Sequence, residues 1–459
     1  MFQSLVKRIR QAQRDHSFHF APLLPEELIR EAFPEASELE RGGTIYTKPV
    51  VVWMFLAQVL CSDHSCRPTV GRLIAWLVGQ GRKACSAETG TYCTARSELS
   101  EEGCHKLLTR TARSIDRRAD DSWRWHGHRV RVVDGTTATM PDTPENQQAY
   151  PQQTAQAPGC GQPIMRMVVL FSLATGVALE LAMARYKGKQ TGENSLFRNP
   201  VSQALEPGDV LLGDRFFGSW FDLALLQQRG IEAVVRKHQM RKTDFRTGAR
   251  IGRDDHLVVW DKPQRPEWMS QGQYDRLPGH LVLREVRITV GQKGFRSRTI
   301  VVVTTLWEHE KYPADEIAEL FRRRWQAELH LRSIKTHLQM DHLRCKKPER
   351  VRNEVRMHLL AYNLIRGTMV DAAQRAGLKP WRLSFKGTLQ TVNEFLPGCL
   401  HVTDIDSWVQ ALLKSIATHT VGNRPDRVEP RVVKRRPKSY KLMNKPRNAL
   451  HKSLPTNGI

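Results

Sequence analysis

Over residues 1–125 apolar positions recur at helical spacing, in segments 2–14, 25–33, 48–60, 69–78, 91–99 and 100–115. Gly79-Gln80-Gly81 stops the fourth of these, and Ser100-Glu101-Glu102 has the make-up of a helix start for the last. From about residue 126 the texture becomes β. Residues 129–133 form one short run rich in valine, and 165–173 and 177–184 read as a hairpin across Ala174-Thr175-Gly176. A helix over 194–205 ends before Pro207-Gly208, a strand follows over 210–213, a helix over 221–228 closes at Gly230, and 231–236 is again a strand. A β-rich block then occupies 237–307, with strands at 256–260, 281–290 and 298–306. Helices return over 314–338, 353–369, 388–395 and 403–416. No internal repeat is present.

The order β, ββ, α, β, α, β over 126–236 is the one an RNase H-like sheet requires, with one more helix to come. The expected fold is therefore α/β: a mixed sheet with flanking helices, a helical N-terminal region and a helical, basic C-terminal region.

Two of the β runs end in an acid followed by a turn: Arg129-Val-Arg-Val-Val133 leads into Asp134-Gly135-Thr136, and Asp209-Val-Leu-Leu-Gly213 into Asp214-Arg215. Carboxylates at strand ends lie where the active sites of α/β folds collect, although one strand-end Asp is ordinarily only a turn residue or a cap. A third acid comes from the segment Phe321-Arg-Arg-Arg324-Trp-Gln-Ala-Glu328-Leu-His-Leu-Arg332-Ser-Ile-Lys335. As one helix it would bring Phe321, Arg324, Glu328, Arg332 and Lys335 within an arc of roughly 80°. Such a stripe reads either as a solvated face with ion pairs from Glu328 to Arg324 and Arg332, or as a surface that holds a metal ion and meets phosphates. The two aspartates upstream favour the second. Asp134, Asp214 and Glu328 form a candidate triad for a hard divalent cation such as Mg²⁺, which takes oxygen ligands and keeps several waters. Two such ions about 3.5–4 Å apart suit phosphodiester chemistry.

These residues resemble a known family. Tyr-x2-Arg-x3-Glu-x6-Lys is the signature of the DDE transposases of bacterial insertion sequences, in the family named after insertion sequence 4. Arg324, Glu328 and Lys335 match it, and Phe321 stands in the Tyr position, keeping the ring without the hydroxyl. Asp134 in Val-Val-Asp-Gly-Thr and Asp214 in Leu-Leu-Gly-Asp-Arg look like that family's first and second acids, and the similarity spans about residues 30–447. The resemblance implies a transposase that cleaves DNA at insertion-sequence ends and transfers the strand to target DNA (cut-and-paste transposition). Asp134 would bridge two Mg²⁺ ions, with Mn²⁺ tolerated, while Asp214 and Glu328 each hold one. Phe321, Arg324, Arg332, Lys335 and Arg215 would meet DNA; Arg215 has a second reading, as a neutraliser of Asp214. The implied partners are terminal inverted repeats, target DNA and a second copy of the chain, a homodimer on paired ends. The expected division is 1–125 for DNA ends, 126–236 for the first part of the RNase H-like core, 237–310 for a β-rich insertion, 311–400 for the rest of the core with the Glu328 helix, and 401–459 for a C-terminal helix and basic tail.

Charge agrees. The 459 residues carry 71 Lys and Arg against 47 Asp and Glu, a net +24, which seeks polyanions. The tail over 424–452 is dense in Lys, Arg and Pro and should be extended. None of the eight cysteines forms a Cys-x2-Cys pair, and Cys61, His64 and Cys66 read as ordinary reduced side chains. With neither a secretory signal nor a membrane span, the expected location is the bacterial cytoplasm, on the nucleoid through DNA, with no membrane partner.

His126 and His128 read as surface residues, Phe216 and Phe217 as core, and Trp260, Trp268 and Trp307 as packing or as platforms for an unstacked base. A phosphatase of the Asp-x-Asp-Gly-Thr type is excluded, because the position of its nucleophile is Val132. Two alternatives stay open: a structure-selective nuclease on the same core, and a non-catalytic DNA binder derived from a transposase.

Overall fold

A sheet of nine strands organises the computed structural model, which describes residues 5–35, 44–61, 63–290, 298–422 and 443–452. The strands are β1 (Arg129–Thr139), β2 (Ile164–Ser172), β3 (Ala178–Arg185), β4 (Asp209–Gly213), β5 (Glu232–Arg236), β6 (Ala249–Gly252), β7 (Asp255–Asp261), β8 (His280–Val290) and β9 (Arg298–Thr304). They lie in the order β3-β2-β1-β4-β5-β9-β8-β7-β6. β1, β4 and β5 run parallel, and every other neighbouring pair is antiparallel. All five residues of β4 are buried, as a strand covered by helices on both faces requires. The β2–β3 turn needs Gly176: its φ is +75°, and a Cβ there would lie 2.3 Å from the Arg366 guanidinium.

The β-rich block does not stand apart from this sheet. β9 pairs with β5 through Val234↔Thr304 and Val235↔Val303, so β9, β8, β7 and β6 extend the sheet beyond its parallel centre.

Among the helices, α1 (Leu5–Arg14), α2 (Glu26–Ala32), α3 (Lys48–Leu60), α4 (Cys66–Gly79), α5 (Gly90–Ser97) and α6 (Glu101–Asp116) precede the sheet. Ser100 caps α6 by accepting the Gly103 N–H. α7 (Pro144–Ala149), α8 (Glu193–Arg198), α9 (Trp220–Gln228) and α10 (Gln271–Asp275) lie between strands. Then come α11 (Ala314–Arg323), α12 (Trp325–Arg332), α13 (Pro348–Ala376), α14 (Phe385–Phe395), α15 (Ile405–Thr418) and α16 (Arg447–Lys452). The long α13 is buried through most of its length and packs on α3, α6, α14, α15 and β3, so one hydrophobic core runs from Leu5 to Ile416. Of the tail expected over 424–452, residues 424–442 lie outside the described residues, and Arg447 of the short α16 pairs with Asp142 at 2.7 Å.

Two expected helices are broken. The segment 194–205 divides at Asn199-Pro200 into α8 and a 3-10 turn at Val201–Ala204, because proline lacks an N–H and drives Asn199 to an extended conformation. The segment 314–338 divides twice. At Arg324 the bonding tightens to i,i+3, with Arg324 N–H on the Phe321 carbonyl and Ala327 N–H on that of Arg324. Beyond α12 the helix widens into a π turn, Ser333–His337, where Leu338 N–H reaches the Ser333 carbonyl.

Buried histidines under this core set its acid limit. His358 bonds the Glu354 carbonyl through Nδ1 at 2.8 Å, and burial brings its pKa down to about 4; His330, between Phe171 and Tyr362, is driven well below 6.5 for the same reason. Both are neutral when folded and become charged when unfolded below about pH 6.5. Their stabilisation is whole above that pH and is lost as pH falls toward 4, about 3 kcal/mol for His358. Denaturation midpoints should therefore drop steeply between pH 6.5 and 4, and His358→Gln should flatten that drop.

Candidate active site

β1 and β4 pair in parallel as far as Val132↔Leu212. Asp134 and Asp214 each lie two residues beyond that pair. With side chains alternating at a period of two, both carboxylates leave the sheet on the same side and at the same edge. Asp134 does not end its strand as expected. β1 continues to Thr139 by pairing with β2, Asp134 opposite Val169, because the β-branched Thr136, Thr137 and Thr139 suit a strand better than the turn that Asp-Gly-Thr suggests. Asp214 does lie just past its strand, where its carboxylate accepts the Arg215 N–H at 2.7 Å and caps a 3-10 turn, Arg215–Phe217.

The third acid arrives on α12, which packs against β1. Arg324 Nη2 lies 3.5 Å from the Glu328 carboxylate. Burial raises the Asp134 carboxyl to about 6; the Arg324 charge and the Gly135 N–H oppose this, while Glu328 and Glu193 add to it. Glu193, at the start of α8, is itself raised, first by burial and then by Asp214, with Arg166 opposing. Asp134 thus feels Glu328 and Glu193, and Glu193 feels Asp214. These effects link four carboxylates from four segments. Among the described residues, no three His, Cys, Asp or Glu side chains stand in metal-ligating geometry.

The breaks in 314–338 rearrange the expected stripe. Phe321 is only 6% exposed and packs in the core, so its ring is not part of an open face. Lys335 rides on the π turn to β1, where Nζ donates to the Thr137 carbonyl at 3.0 Å and the Thr136 hydroxyl at 3.4 Å, and pairs with Asp341 at 3.2 Å. Arg332 remains exposed, on the last turn of α12. Arg215 bonds Gln239 at 2.6 Å and lies over the Phe216 ring.

Some secondary readings change. Phe217 is core but Phe216 is 45% exposed. His126 pairs with Glu316, and His128 with the Tyr312 hydroxyl. Trp260 is buried beneath the Arg241 guanidinium and Trp268 lies under that of Arg198, whereas Trp307 is exposed at its rim, with Nε1 on the Val282 carbonyl. The sequence reading missed Glu193. It also missed Trp325 and Leu329, exposed by 56% and 44% on either side of Glu328 along the chain. An i,i+4 apolar pair on a charged helix was the available sign of the latter.

Residues 125–364 match the family profile described as Transposase DDE domain. The chain belongs to the DDE transposase family. All three acids of this transposase lie within the matched span. It is 28% identical over 437 residues to transposase InsG for insertion sequence element IS4 of Escherichia coli strain K12, covering 91% of this chain and 92% of that protein. Transposases for element IS231F of Bacillus thuringiensis subsp. israelensis (22% over 292 residues, 54% of this chain and 58% of the relative) and for element IS421 of Escherichia coli (39% over 66 residues, 14% and 18%) are also similar. A DDE transposase acts on DNA, has an RNase H-like core and belongs to a family that typically uses divalent metals. Among the described residues, no helix of the transposase is long and apolar enough to cross a membrane.

Proposed function

We propose that this transposase cuts DNA at the ends of its own insertion sequence and joins the freed 3′ end to target DNA, with Asp134, Asp214 and Glu328 holding two Mg²⁺ ions, which Mn²⁺ can replace. The observation that carries this reading is that Asp134 and Asp214 each lie two residues beyond the paired Val132 and Leu212 of two parallel strands, with Glu328 in electrostatic reach of Asp134 from a helix. The donor set fits: it is all oxygen, and the negative field that helps to raise the Asp134 carboxyl is one a hard divalent cation takes. Bound there, the ions would polarise the phosphodiester and stabilise the leaving oxygen.

The chain's own groups supply the rest. Arg324 orients the Glu328 carboxylate and has further N–H donors for a phosphate oxygen. Lys335 fixes the stretch of β1 just beyond Asp134 through the Thr137 carbonyl. Arg332, exposed one turn past Glu328, meets the DNA backbone, and Arg215 contributes beside Asp214. The helices of 1–125, with Arg72, Arg82, Lys83, Lys106, Arg110 and Arg113, bind the inverted repeats, while 126–236 and 311–400 form the catalytic core and 237–310 and 401–459 flank it along the DNA. Two copies hold paired ends.

The test is a plasmid assay with the element's ends and a target. Mg²⁺ should give ends joined to target, and EDTA should abolish both cutting and joining. Cutting without joining would make the protein a nuclease; end binding without metal-dependent nicking would make it a DNA-binding derivative.

A further inference from the structure

We propose that Glu193 is a fourth carboxylate of the metal site, holding a divalent cation between Asp134 and Asp214. This rests on the catalytic reading above and extends it to a residue outside the three-acid signature.

Gly135 follows Asp134 in a strand, where an ordinary side chain would suit the pairing better. A Cβ built on Gly135 would lie 2.4 Å from Glu193 Cδ and 2.5 Å from Oε1. The missing side chain is the space the Glu193 carboxylate occupies, against the backbone beside Asp134. A turn explanation for the glycine fails, because β1 runs straight through it.

Placement of Glu193 is then fixed from three sides. α8 packs on β2 and β3 and on the turn that follows Asp214. Arg166, opposite Thr137 in the β1–β2 register, donates to the Thr191 carbonyl at 3.2 Å and so holds the loop that enters α8. On the third side, the Glu193 Cδ, Oε1 and Oε2 atoms lie 2.4–2.9 Å from where a Cβ on Gly135 would be, one residue past Asp134. Its carboxylate is half-buried and, among the described residues, accepts no hydrogen bond, although Arg166 is near.

The competing explanation is that an acid simply begins a helix, complementing its dipole. α8 has six residues, too few for a strong dipole, and helix initiation places no demand on a glycine in β1. A carboxylate held against the β1 backbone does, because a Cβ on Gly135 would take its place.

The test uses the full chain and Mn²⁺ as the probe, by calorimetry and by electron paramagnetic resonance of free Mn²⁺. Glu193→Gln should weaken Mn²⁺ binding about 10–100-fold and raise the Mn²⁺ concentration for half-maximal cleavage by a similar factor, with metal-free end binding unchanged. Asp134→Asn serves as the reference. If it loses Mn²⁺ while Glu193→Gln binds as the unaltered protein does, Glu193 is overturned and the three-acid reading stands. If both bind Mn²⁺ normally, both readings fall. Should Glu193→Gln fail to fold, Gly135→Ala decides. Its methyl displaces the carboxylate without removing it, so weakened Mn²⁺ binding supports the proposal and unchanged affinity overturns it.

Discussion

Glu328→Gln should bind the element's ends as the unaltered transposase does and cleave them slower by on the order of 10³-fold or more. The amide keeps the length and shape of the side chain and leaves Arg324, 3.5 Å away, with an oxygen to bond. What disappears is one negative charge where a divalent cation needs it. Stability should be little affected, because the side chain is 40% exposed and its ion pair runs along one helix. The lost charge has a second effect. Glu328 helps to raise the Asp134 carboxyl, so the variant should bring Asp134 back toward the ordinary carboxylate range. Band-shift and cleavage assays on one DNA end separate the two readouts. Cleavage at the unaltered rate would remove Glu328 from the chemistry, and lost binding would make it a DNA contact.

The parts of this site visible in the sequence are those where chemistry and local pattern coincide. Asp134 and Asp214 stand out because each follows a run of β-branched or aliphatic residues, and the run is what makes them neighbours: Val132 pairs with Leu212. The β2–β3 hairpin was legible because Gly176 alone suits its turn. Residues 314–338 were harder. Nothing local marks the break at Arg324 or the widening over 333–337, since the π turn accompanies the attachment of Lys335 to Thr137, a strand nearly two hundred residues earlier. A continuous helix was the natural expectation, and it wrongly put Phe321 on the exposed stripe. The pairing of β9 with β5 was equally hidden, because an alternating run states which face is buried but not which strand lies beside it. Glu193 is the extreme case: its importance shows only in the atoms that Gly135 lacks.

The same carboxylates that make the site chemically apt make the metal-free fold worse, and Asp134→Asn measures this. Asp134 has its pKa raised from 3.8 to about 6, chiefly by burial. Between those values the folded protein keeps a proton that the unfolded chain has released, so stability falls as pH rises through the interval. Above about 6 the penalty is whole, up to about 3 kcal/mol at neutral pH. Asn carries no charge to desolvate. In EDTA at pH 7 the variant should therefore unfold at higher denaturant concentration than the unaltered protein, and the difference should vanish by pH 4. Cleavage should be undetectable throughout. Added Mg²⁺ should reverse the order, because a ligand that binds only the folded state stabilises only the chain that retains its site. An Asp134→Asn protein less stable than its parent at pH 7 in EDTA would mean that this carboxylate holds the fold together. An unaltered protein indifferent to Mg²⁺ would mean that the four acids do not form a cation site.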